Sequence, residues 1–368
     1  MRRACHVSTV HNGPDPRIFE KECRTLAEAG WETHLVIRDT DRIPESGGVR
    51  LHELNTPWGG RVGRFALSGW MAFRAARATN SDVYHFHDPE FLPWALLLRQ
   101  TGARVIYDVH EDIAKDVLTK HWIAERLRPR AARVFARLEN ALAGRLDAIV
   151  TAVEGLNRRF RDLGPEIITI NNYPDLRQFG SVPRGGRERM IVYAGTLSPT
   201  RGIAELVRAA ARSDVRLAIA GRFNDPHYER QCRALPEWKH VQWEGYLSRK
   251  RLISLLSRAV AGAMVLNRSQ YYQPTKLYEY WAAGLPVIAT RFPQWLSLVE
   301  DQKAGICVDP WNIDEIAAAM RRLADSPAEA RTLGENGRRL VETRYSWEKE
   351  AEKLLALYRR LAGANGSI

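Results

Sequence analysis

Cysteine is scarce in this chain. Cys5, Cys23, Cys232 and Cys307 are scattered with no paired spacing, which excludes a disulfide framework or a cysteine zinc site and fits a reducing compartment. Long apolar runs are missing too. The longest, 91–98 and 259–266, are far too short to span a bilayer. No signal-peptide pattern is expected at the start, where Arg2 and Arg3 lead at once into a strand-like segment. G-x-G-x-x-G is absent, so a dinucleotide-binding reading is weak. No low-complexity tract occurs before the short tail 362–368, and no internal repeat is visible.

What is present is ordinary for a globular protein: 368 residues, 45% hydrophobic and 27% charged, enough for two domains with separate cores. The net charge of +12 comes mostly from arginine. It favours an anionic partner, whether nucleic acid, anionic lipid or a phosphorylated substrate, although the arginine could also reflect a GC-rich genome.

Strand-like and helix-like segments alternate, which predicts an α/β fold with parallel sheets. A first set has strands at 5–10, 32–37, 83–86, 104–107, 148–151 and 167–170. The apolar-poor stretch 180–189, with Pro183, Gly185 and Gly186, reads as a linker. A second set has strands at 191–194, 216–220, 241–243, 262–266, 287–289 and 305–308. A final amphipathic helix, 348–361, carries Ala351, Leu354, Leu355, Tyr358 and Leu361 as its apolar stripe. The expected domains are 1–180 and 181–345, both Rossmann-like, followed by the helix 346–362.

The segment 273–289, QPTKLYEYWAAGLPVIA, carries the most chemistry. Pro274 can open a helix, Gly284 can close it, and a buried strand follows. Lys276 and Glu279 share one face near its N-terminus, where free N–H groups and the helix dipole attract anions. That pairing suits a phosphate beside sugar hydroxyls, or merely a surface ion pair. The loop 195–202, GTLSPTRG, joins the first strand and helix of the second set, and there Arg201 and the helix start could clamp a diphosphate. Gly221-Arg222 ends the next strand in the same way. In the first half, HNGPDPR at 11–17 lies between strand and helix, where Gly13 permits close approach of a ligand. YDVHED at 107–112 ends another strand. His110 could donate to a substrate hydroxyl or exchange a proton, while Asp108 or Asp112 could instead cap the next helix. HFHD at 85–88 ends the strand before it; metal binding there is the lesser reading.

These segments together resemble the retaining glycosyltransferase family four, with the GT-B architecture of two Rossmann-like domains facing across a cleft and a C-terminal helix crossing back. HVSTVHNGPDPRIFEKECRTLAEAGWETHLV looks like the first βα unit of that family. IVYAGTLSPTRGIAELVRA and QPTKLYEYWAAGLPVIAT look like donor-domain elements, and YSWEKEAEKLLALYRRL like the crossing helix. The resemblance implies that Glu279 binds the donor ribose, Arg201 holds the diphosphate, His110 lines the donor sugar and Gly13 meets the diphosphate across the cleft. It implies donor contacts from Gly195, Thr196, Arg222, Lys276 and Leu277 as well, with His110, Lys276 and Arg201 as the catalytic set. Asn12, Arg17, His87 and Asp88 fall on the acceptor side. Two departures stand out: Tyr271 occupies the place of the family's first glutamate, and Thr196 that of a basic residue, whose role Arg222 would take.

The implied activity is transfer of a sugar from a nucleotide diphosphate-sugar, UDP-sugar before GDP-sugar, to a lipid-linked or cell-surface glycan acceptor. No metal or other cofactor is expected, and no nucleic-acid partner. The location implied is cytoplasmic, at the inner face of the plasma membrane. Arg126, Arg128, Arg130, Arg133, Arg137 and Arg145, interleaved with Val134, Phe135, Leu138 and Leu142, would dock on anionic lipid or form an ordinary packed helix with a solvated face. A nucleotide-sugar 2-epimerase on the same architecture, and a basic non-catalytic nucleic-acid-binding protein, are the alternative functions.

Overall fold

A computed structural model describes residues 1–43, 45–55, 61–118, 123–180, 186–267 and 275–363, without the side chains of 61–66, 114 and 116. The chain divides into two compact units. One comprises Met1–Asn172 with Lys349–Ile368, the other Tyr173–Glu348. The stretch 180–189 lies within the second unit, and its residues 181–185 are outside the described residues.

In the first unit the described strands are β1 (Arg3–Asn12), β2 (Glu32–Arg38), β3 (Val49–Glu53), β4 (Val83–Phe86), β5 (Arg104–Val109), β6 (Ala148–Thr151) and β7 (Glu166–Thr169). They form one sheet in the order β3-β2-β1-β4-β5-β6-β7, and every pairing is parallel. The second unit holds β8 (Met190–Ala194), β9 (Arg216–Ala220), β10 (Val241–Gly245), β11 (Ala261–Met264), β12 (Val287–Thr290) and β13 (Gly305–Val308). Their order is β10-β9-β8-β11-β12-β13, again all parallel. The expected α/β class with two parallel sheets is borne out. β3 is an addition: VRLHE alternates polar and apolar residues at the sheet edge, and the sequence reading passed over it.

Central strands such as Met190–Ala194 and Val287–Thr290 are buried along their whole length, because helices cover both faces of a parallel sheet. The helix Ile203–Ser213 shows the matching pattern, with Ile203, Leu206, Val207 and Ala210 buried on one side. The segment after the first loop is less regular than expected: a π-helical turn, Ile18–Cys23, precedes a short α-helix, Arg24–Glu28. The last helix, Trp347–Gly363, begins in the second unit and ends in the first. There Glu350 Oε2 accepts from the Asn171 N–H at 2.8 Å, and Tyr358 is fully buried.

Strand order reverses direction between β1 and β4 in one sheet and between β8 and β11 in the other. Open α/β sheets bind ligands beyond the carboxyl ends of such strands, because the connections there diverge to opposite faces. Both positions carry residues singled out by the sequence.

Candidate functional site

At the second sheet's reversal, β8 ends in Gly195 with φ +141°, a conformation that side-chain-bearing residues rarely adopt. A Cβ on Gly195 would lie 2.0 Å from Lys276 Cε and 2.4 Å from its Nζ, so the lysine lies directly across this glycine. Gly221, at the end of β9, approaches from the other side: a Cβ there would meet the Gly195 carbonyl oxygen at 1.8 Å. Two glycine backbones and the Lys276 side chain therefore meet at this point. The Asn267 N–H and Nδ2, just beyond β11, donate to the carbonyls of Thr200 and Pro199 at 3.1 and 3.0 Å. These bonds tie the Arg201 loop to the neighbouring strand's end.

The helix Thr275–Ala282 is held by aromatic side chains. The Tyr280 hydroxyl accepts from the Ala194 N–H at 3.0 Å and donates to the Ala263 carbonyl at 3.3 Å, bridging β8 and β11. Trp281 Nε1 donates to the Ala304 carbonyl at 2.9 Å. Leu277 is wholly buried, so its side chain serves the core and only its backbone can face a ligand. Lys276 and Glu279 lie on the outer face and are half-buried. Burial lowers the Lys276 pKa, the Glu279 charge opposes this, and Arg201 lowers it further. Lys276, Arg201 and Glu279 thus form one electrostatic cluster. Pro274, Gln273 and Tyr271 lie outside the described residues.

Glu279 has a partner that the sequence did not reveal. Its carboxylate accepts from Arg249 Nη1, while Arg249 Nε donates to Gln178 Oε1 at 2.8 Å and its guanidinium lies 5.0 Å from the centre of the Phe179 ring. Arg249 stands thirty residues from Glu279 in a run of basic residues, and no local spacing links the two. Thr196 and Arg222 are exposed at the rim, with the Arg222 guanidinium 4.8 Å from the centre of the Tyr246 ring.

The first sheet's reversal is built differently. Arg17 is buried and grips Asp108 bidentately, Nε to Oδ2 at 2.9 Å and Nη2 to Oδ1 at 3.0 Å, while Nη1 donates to the Ile170 carbonyl at 2.7 Å. Asp108 is thus an ion-pair partner and not a helix cap. Asp112 takes the cap role, accepting from the Lys115 N–H at 3.4 Å. His110 Nε2 lies 3.1 Å from Asp108 Oδ2, and His110 remains partly exposed. Asp88 is buried and accepts from the Ser8 hydroxyl and the Thr9 N–H, both at 2.7 Å. His87 is buried as well. Arg17, His87 and Asp88 therefore face the interior of this unit, where the sequence reading had them on an acceptor-binding side. Asn12 is exposed, and Gly13 packs tightly, since a Cβ there would meet Ile43 Cδ1 at 2.8 Å. Next to them His11 Nδ1 lies 3.1 Å from Asp15 Oδ2. Burial pulls the His11 pKa down, but Asp15, Asp88 and Asp108 outweigh it and the net shift is upward.

Glu22, His85, His87 and Asp108 offer donor atoms within 4.8 Å of one another, the spacing of a metal site. Asp108, however, already serves Arg17, His87 and His110, and the Arg17 guanidinium stands at 3.0 Å from Glu22 Oε1. The positive charge that such a carboxylate pair needs is supplied by the arginine. Burial pushes the Glu22 carboxyl well up, Arg17 opposes this and Asp108 reinforces it.

Family models match both units of the chain. Residues 16–171 match the Glycosyl transferase 4-like domain, and residues 176–340 match Glycosyl transferases group 1. The chain is a glycosyltransferase of the two-sheet GT-B type, and a hexosyltransferase. It is 27% identical over 347 residues to the MMP alpha-(1->4)-mannosyltransferase of Mycolicibacterium hassiacum, covering 88% of this chain and 82% of the other. The sucrose-phosphate synthase of Thermosynechococcus elongatus has the same fold, with a TM-score of 0.75 at 22% identity over 99% of this chain and 100% of that one. HepE of Anabaena, solved with UDP and glucose, superposes with a TM-score of 0.74 at 13% identity over 98% of this chain and all of its own.

Proposed function

We propose that the protein transfers a hexosyl group from a nucleoside diphosphate sugar, UDP-sugar before GDP-sugar, to a glycan or lipid-linked acceptor with retention of anomeric configuration. The observation that carries this reading is Lys276 laid across Gly195 at the reversal point of the second sheet, beside Arg201 and a helix start. The diphosphate sits over Gly195 and Gly221, where bare backbone lets it approach. Lys276 and Arg201 take up the charge that develops as the bond from the sugar's anomeric carbon to the diphosphate oxygen breaks, and no metal is required for that. Glu279, oriented by Arg249, accepts hydrogen bonds from the ribose hydroxyls, and Leu277 contributes backbone. Thr196 and Arg222 flank the nucleotide. The acceptor oxygen attacks from the side the diphosphate leaves, and the leaving phosphate takes its proton. In the first unit Asn12 stands toward the acceptor, while Arg17, through Asp108, and His87 hold His110 from within.

HepE, solved with UDP and glucose, supports the choice of donor. The helix Arg128–Ala143 supports a lipid-linked acceptor. Val134 is 65% exposed and Leu138 57%, with Arg130, Arg133 and Arg137 exposed around them, while Phe135 and Leu142 are partly buried. Such a face suits an anionic membrane surface.

The test is thermal stabilisation by UDP, GDP, ADP and dTDP and their common sugars in the absence of metal. A ligand at about 100 times its Kd adds roughly 2.7 kcal/mol to the unit that binds it. Stabilisation by one nucleotide, lost in Lys276→Ala and Glu279→Ala, is the expected result. No response to any nucleotide, or equal response in both variants, would remove this donor site.

A further inference from the structure

Three neighbouring helices of the first unit, Arg61–Ala78, Leu92–Arg99 and Arg128–Ala143, cover one face of its sheet. Each lies between two parallel strands, and right-handed crossovers put all three on the same side. Their inner residues agree. Phe73 and Ala76 of the first, Leu92 and Leu98 of the second and Ala143 of the third share one core with the sheet residues beneath them. The first helix touches the second, and the second touches the third. The opposite face is covered by the segment 18–28, over Leu35 and Ile37.

The outer side of this helical layer is one-sided in charge. The three helices contain a single acidic residue, Glu139. It is buried and committed to the Tyr107 hydroxyl, at 2.7 Å, and to Arg159. Arg74, Arg77, Arg130, Arg133 and Arg137 are exposed, and none has a carboxylate partner among the described residues. Arginines elsewhere on this unit are spent on neighbours: Arg24 pairs with Glu20 at 3.1 Å, and Arg42 with Asp39 at 3.3 Å. Apolar side chains stand among the unpaired arginines. Leu67 and Trp70 of the first helix, Leu97 of the second, and Val134 and Leu138 of the third are all exposed. The Trp70 ring centre lies 5.5 Å from those of Phe73 and Trp94, which braces the indole between two helices. Gly69 allows that contact, since a Cβ there would meet Trp94 Nε1 at 2.2 Å.

Phosphates alone would account for the arginines. Exposed leucine and valine need a partner with an apolar interior beneath its phosphates, and an indole at the border suits the level where the two meet. A bilayer containing anionic lipid offers all three. We propose that the outer face of the three helices is one membrane-docking plane. Trp70 and Leu97 enter the lipid interface beside Val134 and Leu138, and the five arginines meet anionic head groups. This rests on the docking reading of Arg128–Ala143 given above and enlarges it from one helix to a plane, which fixes how the first unit lies. Its sheet runs parallel to the lipid surface. The carboxyl edge, with Asn12 and His110, stands about one helix diameter, roughly 10 Å, above the head groups. The accepting hydroxyl must be carried to that height by the lipid's own head group or by sugars already attached to it.

The test uses the whole protein with phosphatidylcholine vesicles, with and without phosphatidylserine, at low salt. Arg74→Glu with Arg77→Glu, and separately Trp70→Ser, should each weaken sedimentation with the phosphatidylserine vesicles roughly tenfold. Thermal stabilisation by nucleotide should stay that of wild type. Unchanged sedimentation in either variant overturns the plane, and if Arg130→Glu with Arg137→Glu still loses binding, docking by the single helix stands. Equal binding to vesicles lacking phosphatidylserine overturns the role of the arginines. Wild-type protein left in the supernatant overturns the plane and the single-helix reading together, whether or not it binds single-stranded RNA through the same arginines. Orientation is read with an environment-sensitive dye on Leu97→Cys, and on Ala29→Cys at the opposite face as control; the four native cysteines are buried. Blue-shifted emission with vesicles at 97 alone is expected. A shift at 29, or none at 97, overturns the proposal.

Discussion

Lys276 and Gly195 share one space: the lysine's terminal carbons occupy the position where any side chain on Gly195 would have to stand. The two residues are 81 positions apart in sequence, and the pairing places a cation against bare backbone at a sheet's reversal point. Gly195→Ala should therefore act on the cation as well as on the backbone. A methyl group would displace Lys276 and strain a φ of +141°. The expected loss in kcat/KM is on the order of 100-fold, about 2.7 kcal/mol of transition-state stabilisation. Steady-state kinetics on the variant checks this, and unchanged kcat/KM would show that the pairing is incidental to turnover.

Arg249 makes a second prediction because it touches Glu279 without lying on the same helix. Arg249→Ala leaves the Glu279 carboxylate without its positioning partner and removes the bond to Gln178. Nucleotide affinity should fall roughly tenfold, about 1.4 kcal/mol, with the nucleoside losing as much as the nucleotide sugar, since the ribose is what Glu279 holds. Titration calorimetry with both ligands separates this from a general loss of folding.

Stability should depend on pH in a direction set by the first unit's interior. Burial holds His6, His85 and His87 below the ordinary value of 6.5, so the unfolded chain takes up protons there while the folded chain does not. Their contribution is lost as pH falls below 6.5. Glu22 acts oppositely, because its raised pKa keeps a proton in the fold that the unfolded chain loses above 4.5. His34 and His52, both lowered, add to the first effect, and His11, raised, to the second. With more histidines lowered than groups raised, the unfolded state binds more protons near pH 5.5, so stability falls as pH drops toward that value. Denaturant midpoints at pH 5.5 and 7.5 test it, and a midpoint that rises on acidification would refute the assignment.

The basic helix yields a prediction independent of the donor site. Val134→Asp with Leu138→Asp, or Arg130→Glu with Arg137→Glu, should abolish sedimentation with phosphatidylserine vesicles at low salt, each basic residue being worth about 1 kcal/mol near such a surface. Thermal stabilisation by nucleotide should not change. Wild-type protein that stays in the supernatant would remove the docking role.

Periodicity and punctuation alone determined the alternation of strands and helices, the two βα sets, the final amphipathic helix, the loop that carries Gly195 and Arg201, and the short helix that carries Lys276 and Glu279. These are local signals: apolar runs for buried parallel strands, a 3.6-residue stripe for helices, glycine and proline at turns. β3 escaped because an edge strand exposed on one side has too few apolar residues to stand out. Parallel pairing decided the rest, since it joins residues scores of positions apart. The register of β1 on β4 turned HFHD into part of a buried histidine chain. Arg17 and Asp108, ninety-one residues apart, became an interior ion pair, and the first of three basic residues at 249–251 became the partner of Glu279. A sequence shows which side chains are available for chemistry. Which of them face a ligand, and which spend their charge on each other, is fixed only when the sheet brings them within hydrogen-bond distance and burial removes the water that would otherwise satisfy them.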